Sequence, residues 1–98
     1  MARIVVMPQA RRDVDAAIGT LELPADSWRR IIHSLRVLET VPSAGPRLEG
    51  ELTPNRYILG PWNWMILVYR YDEASDHVLV LAMVDARSSA SPLTPQNS

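Results

Sequence analysis

The sequence predicts an α+β domain in which two N-terminal helices pack on one face of a mostly antiparallel sheet of about four strands. Three observations lead to this prediction: a short β-branched segment opens the chain, two amphipathic stripes follow, and three strand-like segments come last. The simplest packing of this order, β-α-α-β-β-β, places both helices on the same side of the sheet. At 98 residues, the chain has room for one hydrophobic core.

The N-terminal half supplies one strand and both helices. Residues 3–7 are mostly β-branched and end at Pro8, which suits the start of a helix. Apolar residues then recur at helical spacing in two stretches, which predicts helices near residues 8–21 and 25–40. The first stripe consists of Ala10, Val14, Ala17, Ile18 and Leu21, and the second of Trp28, Ile31, Ile32, Leu35 and Leu38.

The C-terminal half supplies the other three strands. Residues 42–54 contain three prolines and two glycines, which predicts an ordered loop. The predicted strands are Arg56–Leu59, Trp62–Tyr71 and His77–Val84. Every residue from 78 to 84 is apolar, which is typical of a central strand covered on both faces. We expect the domain to span residues 1–88, with residues 89–98 as a disordered polar tail.

Composition narrows the classes of function. Cysteine is absent, which excludes disulfides and thiolate metal sites, and the two histidines lack metal-ligand spacing. We therefore expect no metal and no cofactor. No segment looks like a signal peptide or approaches the ~20 apolar residues of a membrane span. These features predict a cytoplasmic protein without a membrane partner.

Charge argues against a general nucleic-acid binder. All ten basic residues are arginine, yet the net charge is −1, so the chain has no overall positive field. The charge is uneven, however. Residues 1–47 hold seven arginines against five acids, and residues 48–98 hold three against six. This leaves open a local basic face on the N-terminal helices.

Several short patterns follow one another along residues 1–89. They are Ala10 with Val14, Leu35-Arg36-Val37-Leu38 before Pro42, Arg47-Leu48-Glu49-Gly50, Arg56 before Gly60, Val68-Tyr69, and the strand that runs into Asp85-Ala86-Arg87. No single pattern is diagnostic, but their order resembles the RelE/ParE family of bacterial toxins.

The resemblance implies the toxin of a type II toxin–antitoxin pair. Such toxins are neutralised by a cognate antitoxin, which lays an extended or helical segment on them. RelE-like members cut messenger RNA in the ribosomal A site, whereas ParE-like members poison DNA gyrase without a nuclease site. A third reading, from a different class, is a non-toxic binding module that keeps the fold.

Two arginines are the candidate catalytic residues of the nuclease reading. The resemblance matches Arg87 to the arginine that follows the last strand in RelE-like nucleases, and Arg56 to a strand that carries basic catalytic residues. The alternatives are an Arg87 paired with Asp85 and an Arg56 that is only a sheet-edge charge. A further family arginine would fall on Ile66 or Asn63, which lack its charge. The sequence therefore favours the ParE-like mechanism.

Other groups could take part in proton transfer or in partner binding. A candidate acid–base set consists of Tyr71, Arg70, His77 and Asp85, although His77 is more simply a solvated residue at a strand start.

The predicted strand Trp62–Tyr71 also carries candidate partner-binding residues. If its side chains alternate from residue 62 and Tyr69 faces the helices, Trp62 and Trp64 lie on the opposite face of the sheet. The antitoxin or a second copy of the chain would then cover them, unless they belong to the core. The predicted partner-binding residues are Trp62, Asn63, Trp64, Ile66 and Arg70.

Overall fold

The computed structural model describes residues 1–48 and 55–87, and it has the predicted α+β architecture. The elements are β1 (Arg3–Val6), α1 (Pro8–Thr20), α2 (Ser27–Leu35), α3 (Val37–Thr40), β2 (Arg56–Leu59), β3 (Met65–Asp72) and β4 (His77–Asp85). The predicted tail and part of the predicted loop lie outside the described residues. No helix in the described parts of the chain is long and apolar enough to cross a membrane.

The four strands form one sheet in the order β1-β4-β3-β2. β4 lies in its interior, as the unbroken apolar run of residues 78–84 predicts. β2 and β4 each pair antiparallel with β3, whereas β1 pairs parallel with β4. The sheet is therefore mixed, and β1 and β2 form its two edges.

All three helices lie on the same face of the sheet, which we call the helix face. Side chains from α1, α2 and α3 meet alternate residues of β3 and β4 in the main core. Its fully buried members include Val14, Ile31, Leu35, Leu38, Met65, Leu67, Tyr69, Val78 and Val80. The predicted arrangement of the helices is confirmed.

The opposite face of the sheet, which we call the open face, carries a smaller apolar cluster. Ile66 and Val68 of β3 are buried there against Leu48. Tyr57, Ala82, Val84 and Ala86 pack around them and are partly buried. The middle of the open face is therefore apolar.

Two element boundaries differ from the prediction. The second helix ends at Leu35, and a separate short helix follows from Val37, although no glycine or proline marks the break. β3 begins at Met65 because residues 60–64 form a tight turn. In that turn the Met65 amide donates to the Trp62 carbonyl at 3.0 Å, and the Gly60 amide donates to the Met65 carbonyl at 2.8 Å.

A side chain from α1 binds β4 just beyond a β-bulge. Val68 pairs with Ala82 and Tyr69 with Val80, so Leu81 is the extra residue. Beyond the bulge, the Met83 amide donates to Asp13 Oδ2 at 3.1 Å, and Gln9 Nε2 donates to the other oxygen of that carboxylate at 2.7 Å. The Asp13 side chain thus accepts from a β4 amide that points away from β3, and it fixes α1 over β4.

We expect Asp13→Ala to lower the free energy of unfolding by about 1–3 kcal/mol, because it leaves the amide of the buried residue Met83 without its acceptor. Asp13→Asn is the matched control, since its amide oxygen can still accept the bond, and it should cost less. Urea unfolding of both variants measures the difference. Equal losses for the two variants would contradict this role of the carboxylate oxygen.

Candidate functional site

The Arg56 side chain is bound to the backbone of a neighbouring loop. Arg56 pairs with Tyr69 across the strands, and its Nη1 donates to the carbonyl oxygen of Gly45 at 2.8 Å and weakly to that of Ser43 at 3.5 Å. The residue lies on the edge strand β2, where the sequence also allowed a merely structural charge. Its described contacts are those of a residue that holds a loop.

The Tyr69 hydroxyl binds the backbone of the same loop. It donates to the Pro42 carbonyl at 2.8 Å and accepts from the Gly45 amide at 3.0 Å. Gly45 lies so close to the Tyr57 carbonyl that a Cβ would clash with this backbone oxygen. Burial is the main factor that raises the pKa of Tyr69, so its phenol stays protonated at neutral pH. The tyrosine is a packing residue here.

Arg87 is paired with Asp85, the alternative that the sequence left open. Its Nη2 lies 2.8 Å from Asp85 Oδ2, and its Nε lies 3.0 Å from Oδ1, so the pair is bidentate. The Arg87 hydrogen bonds lower the pKa of the Asp85 carboxyl. The guanidinium also lies 4.7 Å from the Trp64 ring centre, within the range of a cation–π contact.

The structure does not bring the two candidate catalytic arginines together. Asp85, the partner of Arg87, pairs with Met65, while Arg56 pairs with Tyr69. Met65 and Tyr69 are four positions apart along β3, which corresponds to about 13 Å at the usual strand rise. The two guanidinium groups are also held by different partners, so they do not converge on one phosphate.

The expected placement of Trp62 and Trp64 on the open face is wrong. Both pack, partly buried, against the main core on the helix face. The physical reason is the turn before β3, since residues that precede a strand do not follow its alternation. Their rings stack with centres 6.1 Å apart and planes 22° apart. Arg30 of α2 lies 6.0 Å from the Trp62 ring, so a helix residue and Arg87 flank the pair.

The other predicted partner-binding residues fall in different surroundings. Ile66 lies on the open face as expected, but it is fully buried in the smaller apolar cluster. Asn63 is exposed in the turn before β3, and Arg70 is exposed near the end of that strand. The five residues therefore do not form one continuous surface, and the tryptophan pair lies at the edge of the core.

Polar residues gather at one end of the open face. β1, β4 and β3 place Arg3, His77 and Asp72 in one row, because Arg3 pairs with His77 and His77 with Asp72. Arg70 is a diagonal neighbour of His77, at the usual ~7–8 Å for such positions. Of the acid–base set drawn from the sequence, the register therefore brings Arg70 and His77 together.

The remaining members of that set lie elsewhere. Tyr71 alternates to the helix face, where its hydroxyl donates to Asp76 Oδ1 at 2.6 Å. That hydrogen bond raises the pKa of Tyr71, which makes the phenol a poor base at neutral pH. Asp85 lies at the opposite end of β4 and is occupied by Arg87.

Sequence reasoning missed three residues. Asp13 looks like an ordinary exposed acid on the polar side of α1, and only the packing of α1 on β4 brings it to the Met83 amide. Arg30 counts in the sequence as one of several polar-face arginines, and only the turn of residues 60–64 carries Trp62 beneath it. Arg3 could have been noted, because it opens an edge strand that otherwise consists of apolar residues.

Neither the protein-family models nor the curated proteins searched contain a match to this chain.

Proposed function

We propose that this protein is the cytoplasmic toxin of a type II toxin–antitoxin pair and that it acts, like ParE, by binding a protein target such as DNA gyrase. The RelE/ParE resemblance along residues 1–89 supports the class. The confirmed order of elements is compatible with it. A cognate antitoxin would neutralise the toxin, and neither role requires a metal or a cofactor.

The observation that carries the mechanism is the state of the two candidate catalytic arginines. Arg87 is bidentate to Asp85, and Arg56 binds loop carbonyls. The β3 residues that pair with Asp85 and Arg56 are about 13 Å apart. Cleavage of RNA by its 2′-hydroxyl needs a base, an acid and cations that meet at one phosphate. The two arginines do not meet at one phosphate site. Their placement therefore favours inhibition by binding a target protein over cleavage of RNA.

The test is expression of the chain alone, with growth, DNA supercoiling and translation followed separately. We expect growth arrest with altered supercoiling while translation continues at first. Arrest that begins with loss of translation would overturn the ParE-like mechanism. Normal growth at a verified level of folded protein would instead favour the non-toxic binding module.

We expect an Arg56→Ala, Arg87→Ala double variant to remain fully toxic. A nuclease that used these groups for charge stabilisation would lose about 10²-fold or more of its cleavage rate. Because Arg56 holds a loop, the measurement pairs growth with the amount of folded variant in the cell. Loss of toxicity at an unchanged amount of folded protein would contradict the prediction.

A second candidate function is ribosome-dependent cleavage of RNA, and one observation favours it. The register places His77 between Arg3 and Asp72, with Arg70 diagonal to it, on the face that the helices leave uncovered. A histidine can transfer protons near neutral pH, and arginines stabilise charge on a phosphate. This group is better assembled for catalysis than the pair Arg56 and Arg87.

His77→Gln separates the two candidates. If the protein is a gyrase-type inhibitor, this variant should arrest growth as the parent does. If it is a nuclease, the variant should neither arrest growth nor stop translation. Arg29→Gln, which removes an exposed arginine from α2 on the other side of the sheet, is the matched control.

A further inference from the structure

A small cavity lies beside the loop that Arg56 and Tyr69 bind. Its volume is about 230 Å³, and the residues that line it are Pro42, Ser43, Arg56, Tyr71 and Glu73. Pockets for drug-sized ligands usually measure about 300–1,000 Å³, so this one suits a smaller molecule. The loop wall is already fixed, because the Tyr69 hydroxyl binds the backbone of Pro42 and Gly45. A ligand would therefore not have to order this wall on binding.

Two opposite charges line the cavity without neutralising each other. Arg56 binds the carbonyls of Gly45 and Ser43 through Nη1 alone, and its Nε and Nη2 bind no acceptor in the described parts of the chain. Glu73 is exposed in the turn between β3 and β4. Its carboxylate takes part in no ion pair or hydrogen bond within residues 1–48 and 55–87. The cavity thus offers one unpaired carboxylate and two unused guanidinium nitrogens.

Two hydroxyl groups add polar contacts to these charges. The Tyr71 hydroxyl donates its proton to Asp76 Oδ1 at 2.6 Å, so its oxygen can still accept a hydrogen bond. That hydrogen bond raises the pKa of Tyr71, and the phenol therefore stays protonated at neutral pH. Ser43 is exposed, and its hydroxyl has no partner among the described residues. The cavity can therefore both donate hydrogen bonds and accept them.

The pair of charges selects among small ligands. An inorganic anion would be attracted by Arg56 but repelled by Glu73, and a simple cation would meet the reverse. No group of three or more histidine, cysteine or acidic side chains in the described residues could hold a metal ion. A zwitterion satisfies both charges at once. The most common small zwitterion is a free amino acid.

We propose that this cavity binds a small free α-amino acid. The carboxylate of the ligand pairs with Nε and Nη2 of Arg56, a bidentate geometry that guanidinium groups favour, and accepts from the Ser43 hydroxyl. Its ammonium group donates to the Glu73 carboxylate and to the Tyr71 oxygen. Pro42 gives an apolar wall for a side chain of about the size of that of alanine.

This proposal goes beyond the proposed function. Inhibition of a target protein does not require the amino acid, so loss of Arg56 should remove amino-acid binding and leave toxicity unchanged. Failure of one proposal therefore leaves the other standing.

The test is a chemical-shift titration of the full, isotope-labelled chain with L-alanine. Its controls are N-acetyl-L-alanine, which has no ammonium group, and L-alaninamide, which has no carboxylate. We expect alanine to bind with a Kd of about 1 mM or below, and each control to bind at least tenfold more weakly. The shifts should concentrate in residues 42–45 and 71–76. No binding of alanine, or a control that binds as tightly as alanine, would overturn the proposal.

Glu73→Gln tests the contact with the ammonium group. The change removes one charge from an exposed turn position, so Tm should stay the same. We expect alanine to bind this variant at least tenfold more weakly. Glu22→Gln is the matched control, because it removes an acidic charge from an exposed position after α1, and it should bind alanine as the parent does. Parent-like affinity of the Glu73→Gln variant would contradict the proposed site.

Arg56→Gln tests the contact with the carboxylate. We expect at least tenfold weaker binding of alanine, and the remaining affinity should no longer distinguish alanine from L-alaninamide. Arg56 also binds the loop, so Tm is measured alongside. If this variant does not fold, Ser43→Ala decides, since it should weaken alanine binding about threefold or more and leave binding of L-alaninamide unchanged. A folded variant that keeps the preference of the parent for alanine would rule out this contact.

Discussion

Replacement of both Trp62 and Trp64 with serine is expected to lower the free energy of unfolding by about 3–5 kcal/mol. A single fully buried aromatic residue costs about this much when it is cut back, and both tryptophans are mostly, but not fully, buried. The change also removes the ring stack and its contacts with Arg30 and Arg87. Urea unfolding, followed by circular dichroism because the change removes two of the three tryptophans, measures the loss.

Leu59→Ser is the matched control for this double variant. Leu59 is an apolar residue of the same hairpin, but 47% of it is exposed, so the change should cost less than about 1 kcal/mol. If the double tryptophan variant keeps the stability of the parent protein, the rings do not support the core. The two rings would then bind a partner protein, as the sequence alone suggests.

Removal of the Tyr69 side chain is expected to cost about as much, in the range of 3–5 kcal/mol for Tyr69→Ala. This ring is fully buried in the main core, and its hydroxyl binds both Pro42 and Gly45. Tyr69→Phe separates the two contributions, because it keeps the ring and removes the hydroxyl. It should cost about 1–3 kcal/mol, the usual penalty for buried polar groups left without a partner.

The pH dependence of stability provides a second readout for Tyr69. Its pKa is raised in the folded protein, so above the usual tyrosine pKa of about 10 the unfolded chain releases this proton more readily. Stability is therefore unaffected by this group below about pH 10 and falls as the pH rises beyond it. Tyr69→Phe should show a shallower alkaline loss than the parent protein. An identical alkaline loss in both proteins would contradict the assignment.

The spacing of apolar residues predicted most of the fold, because burial of side chains controls that spacing. The apolar stripes placed α1 and α2 within a few residues, and the unbroken run of residues 78–84 identified the interior strand. The same reasoning failed at Trp62 and Trp64. Alternation says which face a residue occupies only inside a strand, and a turn held by two backbone hydrogen bonds delays the start of β3. Sequence periodicity does not predict that turn.

The candidate site was less predictable than the fold because it depends on long-range pairing. Arg3 and His77 are neighbours only because β1 joins the sheet beside β4, and no local pattern encodes this register. The groups that bind Arg87 and Arg56 also differ in their separation along the sequence. Asp85 is two residues from Arg87, and the sequence offers it as an alternative partner. The carbonyls that bind Arg56 belong to a loop more than ten residues away.

The parallel pairing of β1 with β4 also sets the order in which the protein can fold. The hairpins β2-β3 and β3-β4 join neighbours in sequence and can form early, whereas β1 must wait for a strand that begins at residue 77. Closing so long a loop is slow, and contacts of high sequence separation limit the rate of folding. During synthesis, β1 and α1 leave the ribosome long before β4 exists to receive them. The row of Arg3, His77 and Asp72 is therefore assembled only after nearly the whole domain has been translated.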